Sequence, residues 1–247
     1  MSAAKGIHPI IYFGRNILKE ALAARITISE IFVDTKPAYE YVRKLPGFDV
    51  SKYKFTEGLP KEVQKEVHQG VAFRAKHDFY EAYSPDHLKS FSFIILCNHI
   101  EDIFNLGSIA RAAAGFGAGL IIHEDKKSAS LTAAAIKSSA GCAFHLKFMR
   151  VPDLVPLAKI LKNSNYQVIG LELSEAAIPL FEWKPEVPLA LVLGSEGSGI
   201  DTALRNCCTQ FIKIPLKLGI DSLNVSHAAA IAMSWAAEAR RNISKTV

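Results

Sequence analysis

Cysteine is scarce in this 247-residue chain: four residues, of which Cys207 and Cys208 are adjacent while Cys97 and Cys142 stand alone. No disulfide framework is legible in that spacing, and a cytoplasmic location is expected. Long apolar runs are also missing. The uncharged stretch in the glycine-rich middle extends only from Ala112 to Ile122, whereas a membrane-spanning helix needs about 20 apolar residues, so no membrane partner is expected. The opening residues, MSAAKGIHPIIYFGRN, carry one early lysine and an apolar run broken by Pro9 and Gly14, unlike a secretory signal. Metal-ligand spacing is absent as well: Cys142 and His145 form a C-x-x-H pair with no second pair, and no metal is expected.

What is present is a globular composition, with 49% hydrophobic and 21% charged residues. The length fits one large domain or two ordinary ones of roughly 100–200 residues, and two are expected. Lys and Arg total 29 against 24 acidic residues, a net charge of +5 that permits a polyanionic partner without requiring one.

Short apolar runs alternate with helical patterns from the start. PIIYF, NILKEALAA, SEIFVD and AYEYVRKL read as strand, helix, strand and helix, and VAFRA at 71–75 as a closing strand. This gives a first α/β unit over residues 7–76. Residues 77–90 are polar, carry Pro85 and lack periodicity, and are expected to be a linker. From residue 91 to 247 the alternation resumes with longer elements whose strands look buried on both faces, implying a parallel sheet in a second α/β domain.

Three glycine-bearing segments sit where that sheet's strands end, the place where open α/β sheets hold ligands. In NLGSIARAAAGFGAG (105–119), Asn105 and Ser108 are candidate caps of a helix from about Leu106 to Phe116. Gly107 allows a tight entry, and Arg111, near the first turn, lies within reach of an anion at the helix N-terminus. The plainer alternative is a cap and a solvated arginine. In LVLGSEGSGI (191–200), the glycine spacing approaches a phosphate-binding P-loop, but Ile200 and Asp201 stand where Lys and Ser/Thr are required, and Glu196 would repel a triphosphate. Such a loop suits a neutral or cationic ligand. GFGAG at 115–119 fails the dinucleotide fingerprint because it follows a helix. In the third segment, 213–241, Pro215 ends a strand and a loop turns at Gly219. Ser222 and Asn224 then present a hydroxyl and an amide before a small-residue helix from about Val225 to Arg241.

In order and spacing, N-x-G-x-x-x-R, then G-x-E-x-x-G-I, then I-P-L with S-L-N-V-S, the chain resembles the SpoU (TrmH) branch of the trefoil-knotted SPOUT RNA methyltransferases. Within that branch it is most similar to the bacterial enzymes that make 2′-O-methylguanosine in large-subunit ribosomal RNA. HQGVA at 68–72 matches the end of their N-terminal domain, which is similar to ribosomal protein L30e. The likeness is strong over 98–241 and looser over 8–76. It departs from the family at Ile103, usually Pro, and at Leu218, usually Gly, although Gly219 follows.

The resemblance implies an α/β fold with a knotted C-terminal methyltransferase domain, a homodimer with composite active sites, an RNA substrate and S-adenosylmethionine as cofactor. The RNA is expected to be 23S rRNA, with tRNA as the alternative and a non-catalytic RNA-binding or ribosome-assembly protein as the other reading. Carried onto this sequence, it makes Gly194, Ile214 and Leu223 the cofactor contacts, with Leu193, Gly199 and Ser222 behind them. Arg111 becomes the residue at the ribose and its phosphate, where a planar fork of donors binds and orients but makes a poor base. Asn105, Glu196, Ser222 and Asn224 position substrate and loops. His227 is either a neighbour of the site or an ordinary helical histidine, and His99 and His123, which follow strand ends, are equally open.

Overall fold

A computed structural model describes residues 9–81, 85–217 and 222–244, with 85 and 240–244 described in backbone only. The first unit is a four-stranded sheet. β1 (Ile10–Phe13), α1 (Arg15–Ala23), β2 (Thr27–Val33), α2 (Lys36–Arg43), β3 (Lys54–Glu57) and β4 (Val71–Lys76) assemble in the strand order β1-β4-β2-β3. β4 pairs antiparallel with β1 and β2, and β3 runs parallel to β2.

Residues 77–90, read from the sequence as a linker, are partly built into the second unit. Phe79 is buried, Tyr80 bridges to Phe148, and the backbone exchanges bonds there, Phe148 N to the Phe79 carbonyl at 3.1 Å and Glu81 N to the Phe148 carbonyl at 2.8 Å. Two aromatic side chains override the polar composition by finding a sheet edge to cover. A one-turn helix, α3 (Pro85–Leu88), follows.

The second unit contains β5 (Phe93–Cys97), α4 (Ile103–Phe116), β6 (Leu120–Glu124), α5 (Ala133–Ser138), β7 (Lys147–Val151), α6 (Leu154–Asn163) and β8 (Gln167–Leu171). It continues with β9 (Ile178–Pro179), β10 (Leu189–Leu193), α7 (Thr202–Arg205), β11 (Gln210–Lys213) and α8 (Val225–Ser244). Its seven strands are all parallel, in the order β7-β6-β5-β10-β8-β11-β9. Every residue of β5, β6 and β10 is buried, as expected when helices cover both faces of a parallel sheet. β5 continues through α4 to β6 on one side and meets β10 on the other. The loops leaving Cys97 and Leu193 therefore diverge, which opens a crevice at the carboxyl ends of the strands.

Two helices bring the motif segments to that crevice. α4 begins earlier than the sequence suggested. Its N-cap is Asp102, whose Oδ1 accepts from Phe104 N at 2.6 Å, because a carboxylate suits the positive end of a helix better than an amide does. Asn105 and Ser108 consequently sit inside the helix, and Arg111 lies in the third turn instead of near the first. Gly107 is not an entry turn either. A Cβ there would lie 2.5 Å from Ser138 Cβ and 2.6 Å from the Ala135 carbonyl, so this glycine lets α4 and α5 cross closely. The alanine face of α8 (Ala229, Ala232, Ala236) is fully buried within the chain, with α8 packed on α4. The two units share a core, where Tyr12 meets Phe144 edge-on at 5.4 Å, and at the surface between them Glu20 lies 2.8 Å from His145.

Candidate active site

The three motif segments converge on one hydrogen-bonded triangle. Asn105 Nδ2, from α4, donates to Glu196 Oε1 at 3.0 Å. Asn224 Nδ2 donates to the same oxygen at 2.6 Å and to Asn105 Oδ1 at 2.9 Å. Asn224 also caps α8, its Oδ1 accepting from Ser226 N at 2.9 Å and from Ser226 Oγ at 2.6 Å. The second oxygen of Glu196 has no partner among the described residues, and the loop carrying it is exposed.

Beneath the triangle lies a cleft of about 380 Å³, within the roughly 300–1,000 Å³ of small-molecule sites. Leu193, Gly194, Gly199, Ile214, Ser222 and Leu223 line it, so every residue assigned to the cofactor is on its wall. Gly194 is required there because any Cβ would strike the Gly199 carbonyl and the Ile200 amide, where the loop folds back on the end of β10. The turn itself is closed by bonds between Ser195 and Gly199, N to O at 3.0 and 3.1 Å, with Gly199 in the left-handed region at φ 70°.

The sequence reading missed the opposite wall. Leu171 ends β8, Glu172, Leu173 and Ser174 follow it, and Arg205 and Lys213 join them. Glu172 binds Arg205 at 2.6 Å while the guanidinium covers the Phe211 ring, and Lys213 Nζ donates to the Ser174 carbonyl at 3.1 Å. Both cations are thereby engaged, leaving the cleft without a loose positive charge among its described residues. No glycine pattern marks this wall. Its only signal was an acidic residue directly after a buried strand.

Arg111 is not in the cleft. It stands six residues beyond Asn105, about 240° around the helix, exposed and without a partner among the described residues. Its charge is felt at Cys142, whose thiol is pushed up by burial and by Glu20 and drawn down by Arg111. Phe104, seven residues earlier on the same face, is 67% exposed. The expected departure at Leu218 and Gly219 lies outside the described residues. His227 is exposed beside Asn224, whereas His123 is buried in β6 against Tyr80, Nε2 to Oη 3.1 Å. Cys97, at the end of β5, has its pKa pushed up to about 12 by burial, so it offers no thiolate at neutral pH. Among the described residues no group of side chains is arranged to hold a metal, and no helix is long and apolar enough to cross a membrane.

A model of the SpoU rRNA methylase family matches residues 92–234. The chain is 33% identical over 178 residues to the 23S rRNA (guanosine-2′-O-)-methyltransferase RlmB of Escherichia coli, covering 70% of this chain and 73% of that protein. It is 30% identical over 233 residues to a Staphylococcus haemolyticus protein named for the TrmH family of tRNA/rRNA methyltransferases, covering 91% and 93%. In fold it matches the SpoU methyltransferase AviRb of Streptomyces viridochromogenes, whose structure holds AdoMet. The TM-score is 0.74 at 19% identity, over 95% of this chain and 92% of that one.

Proposed function

This chain belongs to the SpoU rRNA methylase family, and from that premise we propose that it transfers the methyl group of S-adenosylmethionine to a ribose 2′-hydroxyl of RNA. The observation that carries the reading is the Asn105–Glu196–Asn224 triangle, which fixes three distant segments above a cleft of cofactor size. The substrate favoured by the relatives' names is a guanosine in 23S rRNA, with tRNA as the alternative.

The cleft suits the cofactor. Its glycine cradle admits a ligand against the backbone, its apolar side is Leu193, Ile214 and Leu223, and its carboxylates Glu172 and Glu196 tolerate a cation. S-adenosylmethionine, when bound, supplies a methyl group activated by a sulfonium. The chain's own residues orient the acceptor. Asn105 and Asn224 hold Glu196 by one oxygen and leave the other to a hydroxyl; Ser222 stands at the rim of the same cleft. A preorganised acceptor of this kind saves the cost of orienting it during reaction. Gly194, Gly199, Ile214, Leu193 and Leu223 hold the cofactor.

Arg111 acts across a homodimer in this reading. Exposed Phe104 on its face supplies the apolar contact, and an isologous pair presents the partner's Arg111 to ribose and phosphate, completing the composite site. The same reading carries a trefoil knot in the C-terminal part of the chain, a 7–76 unit of L30e type that holds RNA, a 77–90 connection, a 91–247 catalytic unit, and a cytoplasmic location. What supports the knot is that Ile214, Leu216, Ser222 and Leu223 wall one cleft with the 194–200 loop.

Calorimetric titration with S-adenosylmethionine, followed by transfer of a labelled methyl group to 23S rRNA and tRNA with mapping of 2′-O-methyl positions, tests the reading. Saturable binding and one methylated ribose are expected. RNA binding without cofactor binding would make the chain a non-catalytic RNA-binding protein instead.

A further inference from the structure

A second cleft, of about 450 Å³, lies on the other side of the Glu196 wall. It shares Ser195, Glu196, Ser198 and Val225 with the cofactor cleft and adds Asn105, so the triangle stands between the two spaces. The two differ in chemistry. The cofactor side is floored by leucine and isoleucine, whereas His99, Glu101, Asp102, Lys127 and Asp201 line the second.

Most of these polar groups are already engaged. Asp102 caps α4. Asp201 Oδ2 lies 2.8 Å from His99 Nε2, and the other ring nitrogen of His99 lies 3.0 Å from Glu124 Oε2. Lys127 and Glu101 are the exceptions: both are exposed and neither has a partner among the described residues. Lys127 is held with a left-handed backbone, φ 52°, and His99 across the cleft with φ 55°. Non-glycine residues rarely adopt this conformation, and such strain gathers at binding sites. The loop bearing Lys127 is tied to the one bearing Glu101 by Ala129 N donating to the Ile100 carbonyl at 2.8 Å.

Resting on the methyltransferase reading, we propose that this polar cleft seats the target nucleotide, with the Lys127 ammonium on its phosphate and its ribose against the Asn105–Glu196 wall. An unpaired ammonium fixed on a bonded loop is a ready counter-ion for one phosphate, and Glu101 opposite keeps a second phosphate away. The two clefts share the exposed Glu196 rim, over which the ribose hydroxyl meets the methyl donor directly.

The test is steady-state methylation of RNA across a range of KCl concentrations, with calorimetry of S-adenosylmethionine on the same proteins. Lys127→Asn suits the left-handed backbone while removing the charge. It is expected to raise KM for RNA about tenfold and to lower the slope of log KM against log salt by about one unit. Cofactor affinity is expected to stay within twofold, and Lys127→Arg to restore both RNA values. An unchanged KM and salt slope in Lys127→Asn, or a parallel loss of cofactor affinity, would overturn the proposal. If the unaltered protein neither binds the cofactor nor methylates RNA, the methyltransferase reading has failed instead. The cleft is then judged by the salt slope of single-stranded RNA binding in the same variants.

Discussion

Asn224 does two separate jobs with one side chain. Its oxygen caps α8 and its nitrogen bridges Glu196 and Asn105, so the amide is needed and a good cap alone does not suffice. Aspartate keeps the acceptor for the helix but sets a carboxylate against Glu196, where the present contact is 2.6 Å. Asn224→Asp should therefore unfold within about 1 kcal/mol of the parent while turnover falls by about two orders of magnitude. Asn224→Ala should lose about 1 kcal/mol as well as the turnover. Thermal unfolding and single-turnover methylation of both variants check this, and normal turnover in Asn224→Asp would remove the triangle from the reaction.

β6 shows how an element carries a pH dependence of its own. Burial holds the His123 imidazole below its usual range and the Arg150 charge adds to this, while the bond to the Glu124 carbonyl opposes it. His77, beside Phe79, is also lowered, chiefly by burial. Both resist protonation in the fold, whereas in the unfolded chain they take up protons near the ordinary value of about 6.5, so the unfolded state binds more protons just below that pH. Stability is full above pH 6.5 and falls as pH drops through the lowered folded values. Chemical unfolding at pH 7.5 and 5.5 should show lower stability at 5.5, and His123→Asn should shrink the difference. An equal difference in both proteins would exclude His123 as a source. Elements whose sequence carried both faces of their environment were the legible ones: β5 and β10 are buried throughout and read as unbroken apolar runs, and β6 opens on one, Leu120–Ile122, before His123 and Glu124. β3, KFTE, is half-exposed, and nothing in its composition marks a strand. The start of α4 was misplaced because Asp102 precedes the apolar Ile103 and Phe104, and Asn105 offered itself as an equally good cap. Each motif segment was visible by its glycines and amides. The wall at 171–174 was invisible because a sheet, not a local pattern, brings it to the cleft.

At the scale of the whole molecule, Arg111 poses the remaining question. Within one chain it points from α4 away from the wall of either cleft, while Phe104 on the same face is left exposed. A homodimer through that face resolves both facts, and it makes a prediction that a single-chain site does not. Arg111→Ala alone should lose turnover by orders of magnitude with cofactor affinity within a few fold, and Glu196→Ala should be equally inactive. When the two inactive proteins are mixed, dissociated and reassembled, half of the dimers pair one of each. In such a dimer one cleft has an intact Glu196 and receives an intact Arg111, while the other has neither. Activity should therefore return to about a quarter of the parent's, from half the dimers and one site in each. If Arg111 served the cleft of its own chain, each subunit would keep its own defect and mixing would restore nothing. Phe104→Glu removes the apolar contact and should give monomers by sedimentation, which fail to methylate although their clefts still bind cofactor.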